Sequence, residues 1–219
     1  MKARALLEAR WILVVLGGAW LVTLLFFQPL AILLALAVLF TFYFFRDPER
    51  TPPADPGLAV APADGVVVAV EDCDGDGLLG GPVRRIVIFL SVLDVHVNRS
   101  PIAGEVTHSE PRDGAFHDAR DPRSSQFNAC RTWVIRGAGC AVVVRQITGA
   151  IARRIVAWSR VGDRLMRGER FGMIRFGSRT EVDFPDGTET LVRPGDRVRA
   201  GETPIARIPG GTASVLSSK

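Results

Sequence analysis

Residues 11–45 run for 35 positions without a charged side chain, and Arg4, Arg10, Arg46 and Arg50 flank them. By hydropathy an apolar run of this length is a membrane segment. As one straight helix it would extend about 50 Å at 1.5 Å per residue, well beyond a hydrocarbon core of roughly 30 Å. Gln28-Pro29 divides it, because proline removes a helical N–H and clashes with the preceding turn. Two short helices, over 11–27 and 30–45, are therefore expected, paired as a hairpin or lying tilted in the interface. The apolar stretch is too long for a secretory signal, and no small-residue cleavage site follows it. Basic residues at both ends favour the cytoplasmic side of the cell's inner membrane for both.

Beyond this segment, 1–45, the chain changes character. Residues 46–57 hold four prolines and form a linker in which helix cannot continue. Residues 58–219 are long enough for one domain with a core of its own. Short β-type runs dominate there, at 66–70, 84–92, 104–108, 132–136, 141–147, 170–176, 180–184 and 203–208, punctuated by Gly and Pro. The expected class is mainly β (α+β), with one or two short helices. Ala61-Pro62-Ala63-Asp64-Gly65-Val66-Val67 and Arg193-Pro194-Gly195-Asp196-Arg197-Val198 echo one another as turns leading into strands, like the halves of a barrel-sandwich of the biotinyl or lipoyl type.

Composition removes several functions. The net charge is +4 and the 27 basic residues include only two lysines, Lys2 and Lys219. Basic stretches are not interleaved with aromatics and there is one Tyr, so a nucleic-acid platform has little support. Beside an apolar anchor, the arginines suit anionic lipid headgroups better. Cys73, Cys130 and Cys140 show no CxxC spacing and are odd in number, which argues against a disulfide framework. His96, His108 and His117 lack the spacing of a metal site. Asp72, Asp74 and Asp76 mimic the start of a calcium loop, but position twelve is Val83, so the segment reads as a solvated turn.

The missing internal lysine also removes a pyridoxal Schiff base and a lipoyl or biotinyl attachment point. Gly177-Ser178 offers another electrophile. The Ser hydroxyl can attack the Gly177 carbonyl and turn the amide into an ester. β-Elimination then frees Gly177 as a carboxylate, and the dehydroalanine left at 178 hydrolyses, losing ammonia, to an N-terminal pyruvoyl group. A glycine at the attacked carbonyl leaves the approach open.

Four segments, the last of them holding this dipeptide, stand in a telling order: Ala61-Pro62-Ala63-Asp64-Gly65, Asp94-Val95-His96-Val97-Asn98-Arg99-Ser100-Pro101, residues 145–156, and Gly168-Glu169-Arg170-Phe171-Gly172-Met173-Ile174-Arg175-Phe176-Gly177-Ser178-Arg179. Together they resemble the phosphatidylserine decarboxylase proenzymes in their short prokaryotic form, from Phe45 to about Pro209. The resemblance implies cleavage between Gly177 and Ser178 into a large chain, 1–177, and a small chain, 178–219, which stay together as a heterodimer. It implies a covalent pyruvoyl group (pyruvate as cofactor) made from Ser178, which forms a Schiff base with phosphatidylserine in the membrane and releases CO2 to give phosphatidylethanolamine. His96 is then the proton carrier and Asp64 its orienting partner, on the logic of a Ser-His-Asp array. No metal is implied.

Two positions depart from the family pattern. Longer bacterial relatives carry a second His three residues after the first, where this chain has Arg99. Asn128-Ala129-Cys130 stands where short members read Asn-Glu-Arg. A rival reading is a membrane-tethered lipoyl- or biotinyl-like carrier or adaptor without catalysis, which suits the internal echo but lacks its modified lysine.

Overall fold

The computed structural model describes residues 3–150, 154–175 and 178–208. The chain divides into two compact units, Met1–Glu49 and Arg50–Lys219.

The first unit is a pair of helices that lie against each other, α1 (Ala3–Phe26) and α2 (Gln28–Phe44). The break falls at Phe27, and Pro29 occupies the first turn of α2, where a missing N–H costs nothing. α1 begins eight residues before the expected start at Trp11, so Arg4, Glu8 and Arg10 are helical. Straight-chain charged residues are good helix formers, and a helix need not stop where hydropathy does. At 24 residues α1 is not the short helix expected. It spans about 36 Å, and its Leu6–Leu24 stretch is apolar and long enough to cross a membrane. Thr23 and Thr41 donate their hydroxyls to carbonyls one turn back (Ala19 and Ala37, 3.0 and 2.8 Å), which hides these polar groups within apolar helices.

The second unit is mainly β, as expected. Its strands in chain order are β1 (Leu58–Val60), β2 (Gly65–Cys73), β3 (Val83–Leu90), β4 (Val97–Arg99), β5 (Gly104–Arg112), β6 (Cys130–Arg136), β7 (Ala141–Thr148) and β8 (Arg154–Ala157). There follow β9 (Arg164–Leu165), β10 (Arg170–Arg175), β11 (Ser178–Pro185), β12 (Glu189–Thr190), β13 (Arg197–Val198) and β14 (Pro204–Arg207). A one-turn helix, α3 (Ser124–Phe127), precedes β6. Eight strands form one sheet in the order β13-β2-β3-β11-β7-β6-β5-β9, and β1-β14-β12 and β4-β10-β8 form two smaller ones.

The core lies on one face of the large sheet, where alternation places Ile86, Ile88 and Leu90 of β3, Val142 and Val144 of β7, Trp133 and Ile135 of β6, and Val182 and Phe184 of β11. Phe171 of β10 closes on Trp133 edge to face at 5.1 Å. The two echoing segments lie side by side: Arg197 pairs with Val66 and Val198 with Gly65. Gly65 is required there, since a Cβ would stand 2.1 Å from the carbonyl oxygen of Phe89.

Candidate active site

Ser178 opens β11 and pairs with Leu90 on one side and Thr148 on the other, so it sits between the C-terminal ends of β3 and β7. Alternation turns its side chain, with those of Thr180, Val182 and Phe184, toward the core. It is fully buried, and its Oγ has no hydrogen-bond partner among the described residues. A buried hydroxyl left unpaired costs about 1–3 kcal/mol, and such groups call for an explanation. Gly177 lies outside the described residues.

His96 stands one residue before β4, whose Val97 pairs with Met173 of β10. Its carbonyl accepts from Ile174 N at 3.2 Å. The ring is fully buried and Nδ1 is 2.9 Å from the Asp94 carbonyl oxygen. Against a carbonyl Nδ1 must carry hydrogen, so the acceptor of the neutral ring is Nε2. The turn that presents it is closed by Asp94, whose Oδ2 accepts from Ser91 N and Oγ at 2.8 and 2.7 Å.

Asp64 lies in the turn between β1 and β2. Its hydrogen bonds go to Arg50, at 2.7 Å, and to Ala200 N, at 2.8 Å, while His96 Nδ1 faces Asp94. Burial pushes the Asp64 carboxyl above its ordinary value, against the opposing pull of the Ala200 N–H and Arg50. Arg50 has a second partner in Glu202 at 2.9 Å. The Asp64 turn and the His96 strand are tied together, because Arg99 N donates to the Pro62 carbonyl at 3.0 Å.

Sequence reasoning did not single out Asn98, which joins the pieces. Its amide nitrogen donates to Pro62 O and to Thr180 Oγ1, both at 3.2 Å, and its oxygen accepts from Gln146 Nε2 at 2.8 Å. Gln146 in turn accepts from Trp133 Nε1 at 2.8 Å. The chain from Trp133 to Thr180 is wholly buried and ends two residues from Ser178. Gly172 makes room for it, since a Cβ there would come within 3.1 Å of Gln146 Nε2 and 2.7 Å of Val156 O.

The two departures have local explanations. Arg99 is 3% exposed and donates to Gly168 O at 3.0 Å, and its Cδ lies 2.9 Å from where a Gly201 Cβ would stand. Its guanidinium thus braces the Gly168 turn against a residue that must lack a side chain. Asn128 is fully buried: it accepts from His117 N at 2.8 Å and donates to His117 O and Thr148 O at 2.9 and 2.7 Å. It therefore clamps the β5–β6 connection onto Thr148, the strand partner of Ser178. Ala129 O accepts from Thr148 N and Oγ1, both at 3.0 Å, and Cys130 is buried, which raises its thiol pKa. His117 is exposed with its ring 6.4 Å from Phe127, and His108 in β5 pairs with Glu110 at 3.3 Å.

The opposite face of β11 is charged and buried. Asp183 accepts from Arg85 Nε and NH2, at 2.7 and 2.9 Å, and from Arg145 NH1 at 2.6 Å. Glu181 accepts from Arg179 Nε at 2.8 Å and from Ser125 Oγ at 2.5 Å. The hydrogen bonds that Arg85 donates to Asp183 hold its guanidinium pKa well above the usual range. Asp76 reaches over the Asp183 cluster to Arg145 at 2.5 Å, so the loop read as a solvated turn has one side chain drawn into the network.

The family model for phosphatidylserine decarboxylase matches residues 38–206. The chain is similar to the phosphatidylserine decarboxylase proenzyme of Symbiobacterium thermophilum, 51% identical over 82% of this chain and 83% of that protein. It is also similar to those of Trichlorobacter lovleyi, 47% identical over 88% and 87% of the two chains, and Carboxydothermus hydrogenoformans, 44% identical over 93% and 96%.

Proposed function

Because the chain belongs to the phosphatidylserine decarboxylase family, we propose that it matures by cutting itself between Gly177 and Ser178 and then removes CO2 from phosphatidylserine to give phosphatidylethanolamine. The carrier reading has no support among the relatives. The observation that carries the site assignment is the Ser178 hydroxyl, buried and unpartnered at the first residue of a central strand. A hydroxyl held by no other acceptor keeps its lone pairs and its proton available for the neighbouring peptide carbonyl. Elimination carries Oγ away with Gly177 and leaves Cβ as the methyl of the pyruvoyl group, so a buried side chain whose Oγ has no partner among the described residues loses no hydrogen bond on conversion, and the position fits that group. That group supplies an electrophilic carbonyl for the substrate amine and a sink for the electron pair left when CO2 departs.

The chain's own residues supply the rest. His96, protonated at Nδ1 by its contact with Asp94 O, offers Nε2 as the base for the Ser178 proton during cleavage. Asp64 serves as the acidic partner of the array, carried on the turn that Asn98 and Arg99 fasten to the His96 strand. Asn98 and Thr180 fix the first residues of β11. After cleavage the small chain keeps β11 between β3 and β7, paired along its length to both. The two pieces therefore remain one sheet and elute together without denaturant. The membrane hairpin, over 1–45 with the linker 46–57, keeps the catalytic domain, 58–219, at the cytoplasmic face of the membrane that holds its substrate.

Intact-mass measurement tests this reading. Wild-type protein is expected as two chains, the smaller with a blocked, carbonyl-reactive N-terminus, and Ser178→Ala as one chain without activity. An uncut wild type that decarboxylates phosphatidylserine would overturn it.

A further inference from the structure

The lipid must be met at a surface, and one end of the large sheet has an unusual one. Among the described residues of the second unit, the exposed aromatic side chains are Phe116 and Phe127, 41% and 51% exposed. Leu93 is 61% exposed. All three stand on connections that leave the sheet beside Ser178. Leu93 follows Leu90, the β3 partner of Ser178, by three residues. Phe127 ends α3, and the next residue, Asn128, is bonded to Thr148, the β7 partner of Ser178. Phe116 is drawn to the same place, since Ala115 N donates to Phe127 O at 2.7 Å and Asn128 bonds His117 on both its backbone groups. Arg120, on the same connection, lies over the Phe89 ring of β3 at 5.8 Å.

This arrangement is firmly built. Asn128 is fully buried with three hydrogen bonds on its side-chain amide, and Arg112 donates to Ser125 O and Asn128 O at 2.9 and 3.1 Å. Such a scaffold normally tucks phenylalanines inward, yet it holds two of them out. Paired charges lie among them: Arg120 with Asp118 and Arg123 with Asp121, the latter at 2.7 Å. The rim is therefore nearly neutral and owes little to Coulomb attraction.

Resting on the decarboxylase reading, we propose that Leu93, Phe116 and Phe127 form an interfacial rim that enters the bilayer around the mouth of the Ser178 site, so that the serine headgroup is taken without the lipid leaving its leaflet. The acyl chains of a diacyl phospholipid stay in hydrocarbon at little cost, whereas extracting them exposes some thirty methylenes at about 0.8 kcal/mol each. A reactive carbon inside a protein can reach a headgroup only if its rim meets the membrane. Aromatic and leucine side chains are the residues that settle at that boundary. The rim residues belong to the second unit and α1 to the first, so the two contacts can be tested apart.

The test uses the full chain with Leu93→Ser, Phe116→Ser and Phe127→Ser combined. Self-cleavage and sedimentation with vesicles of phosphatidylserine and phosphatidylcholine are expected to remain. The KM for phosphatidylserine in those vesicles should rise about 10-fold or more, while turnover of a dispersed short-chain phosphatidylserine stays within about 2-fold. As a direct measure, a nitroxide on Phe116→Cys, in a Cys73→Ser background, should collide more often with oxygen and less often with a water-soluble relaxant once vesicles are added. Equal loss on both substrates, or no loss on either, would overturn the rim. So would a nitroxide that stays water-accessible with vesicles present. A wild type that turns over neither form of phosphatidylserine would instead overturn the decarboxylase reading itself.

Discussion

The two faces of β11 differ in how their polar groups are compensated: buried charges pair on one, where Glu181 Oε2 lacks a hydrogen bond but has Arg85 NH1 at 3.6 Å, and a lone hydroxyl stands on the other. On one face Arg179, Glu181 and Asp183 are buried in a network with Arg85, Arg145, Ser125 and Asp76, with Asp183 alone accepting three guanidinium hydrogen bonds. On the other, Ser178 is equally buried and its Oγ has none among the described residues. Both faces belong to the same eight residues, so the contrast is local design of side chains and not of backbone. The charged face fixes the strand from Pro185 back to Arg179. A strand so fixed can hold an unsatisfied hydroxyl at its first residue, where it would otherwise rotate or fray to find a partner.

The sharpest way to break the contrast is to open the charged face. Asp183→Ala leaves Arg85 and Arg145 buried without their main acceptor, and a buried pair broken on one side costs about 3–5 kcal/mol. Burial would lower the Arg145 pKa, and Asp183 and Asp76 more than offset it. To keep cleavage from confusing the measurement, urea unfolding is compared in the Ser178→Ala background. Ser178→Ala itself should unfold no more easily than an uncut Ser178 chain, because it removes an unpaired group. A cost under about 1 kcal/mol for Asp183→Ala would show that the network is exposed in solution and does not brace the strand.

Next in size is His96. As the base for Ser178, its loss should slow self-cleavage or later turnover by about 10² or more. Asn98→Ala tests positioning: it should slow cleavage less, and Asn98→Asp, which keeps the acceptor for Gln146, should recover part of the rate with KM unchanged. Normal cleavage and turnover in His96→Ala would return His96 to a packing role.

The residues that made these faces were unevenly visible beforehand. β2, β3, β5, β6, β7, β10, β11 and β14 were legible because each holds a run of β-type residues bounded by Gly or Pro. β4, β9, β12 and β13 run two or three residues, too short for any period, and are set by pairing with distant partners such as Gly65 and Met173. Ser178 was legible because a Gly-Ser step is chemically distinctive where internal lysine is lacking. Asn98 and Gln146 were not: neutral amides 48 residues apart reveal nothing until the fold brings them to 2.8 Å. Arg85, Arg145 and Asp183 lie on the face of β3, β7 and β11 turned away from the core. The Asp76 loop and Ser125 cover that side, and a covering loop leaves no mark on the strand's own pattern.

The smallest expected effect concerns Asp64, which belongs to neither extreme: it is bonded to Arg50 and Ala200 N, yet burial still raises its pKa above the ordinary value. The folded state therefore binds this proton more tightly than the unfolded chain does. Its contribution to stability is full below the unfolded carboxylate pKa and is lost as pH rises through the higher folded value. Asp64→Asn mimics the protonated form, and Arg50 keeps Glu202 as a partner. In the Ser178→Ala background, the variant should lie within about 1 kcal/mol of its parent at neutral pH. Its stability should fall less than the parent's between about pH 4 and pH 7. A steeper fall in the Asn variant would mean that the Arg50 ion pair outweighs burial and that Asp64 is held ionised. Asp64 would then belong with the paired charges of the opposite face of β11 and not with the unpaired hydroxyl of Ser178.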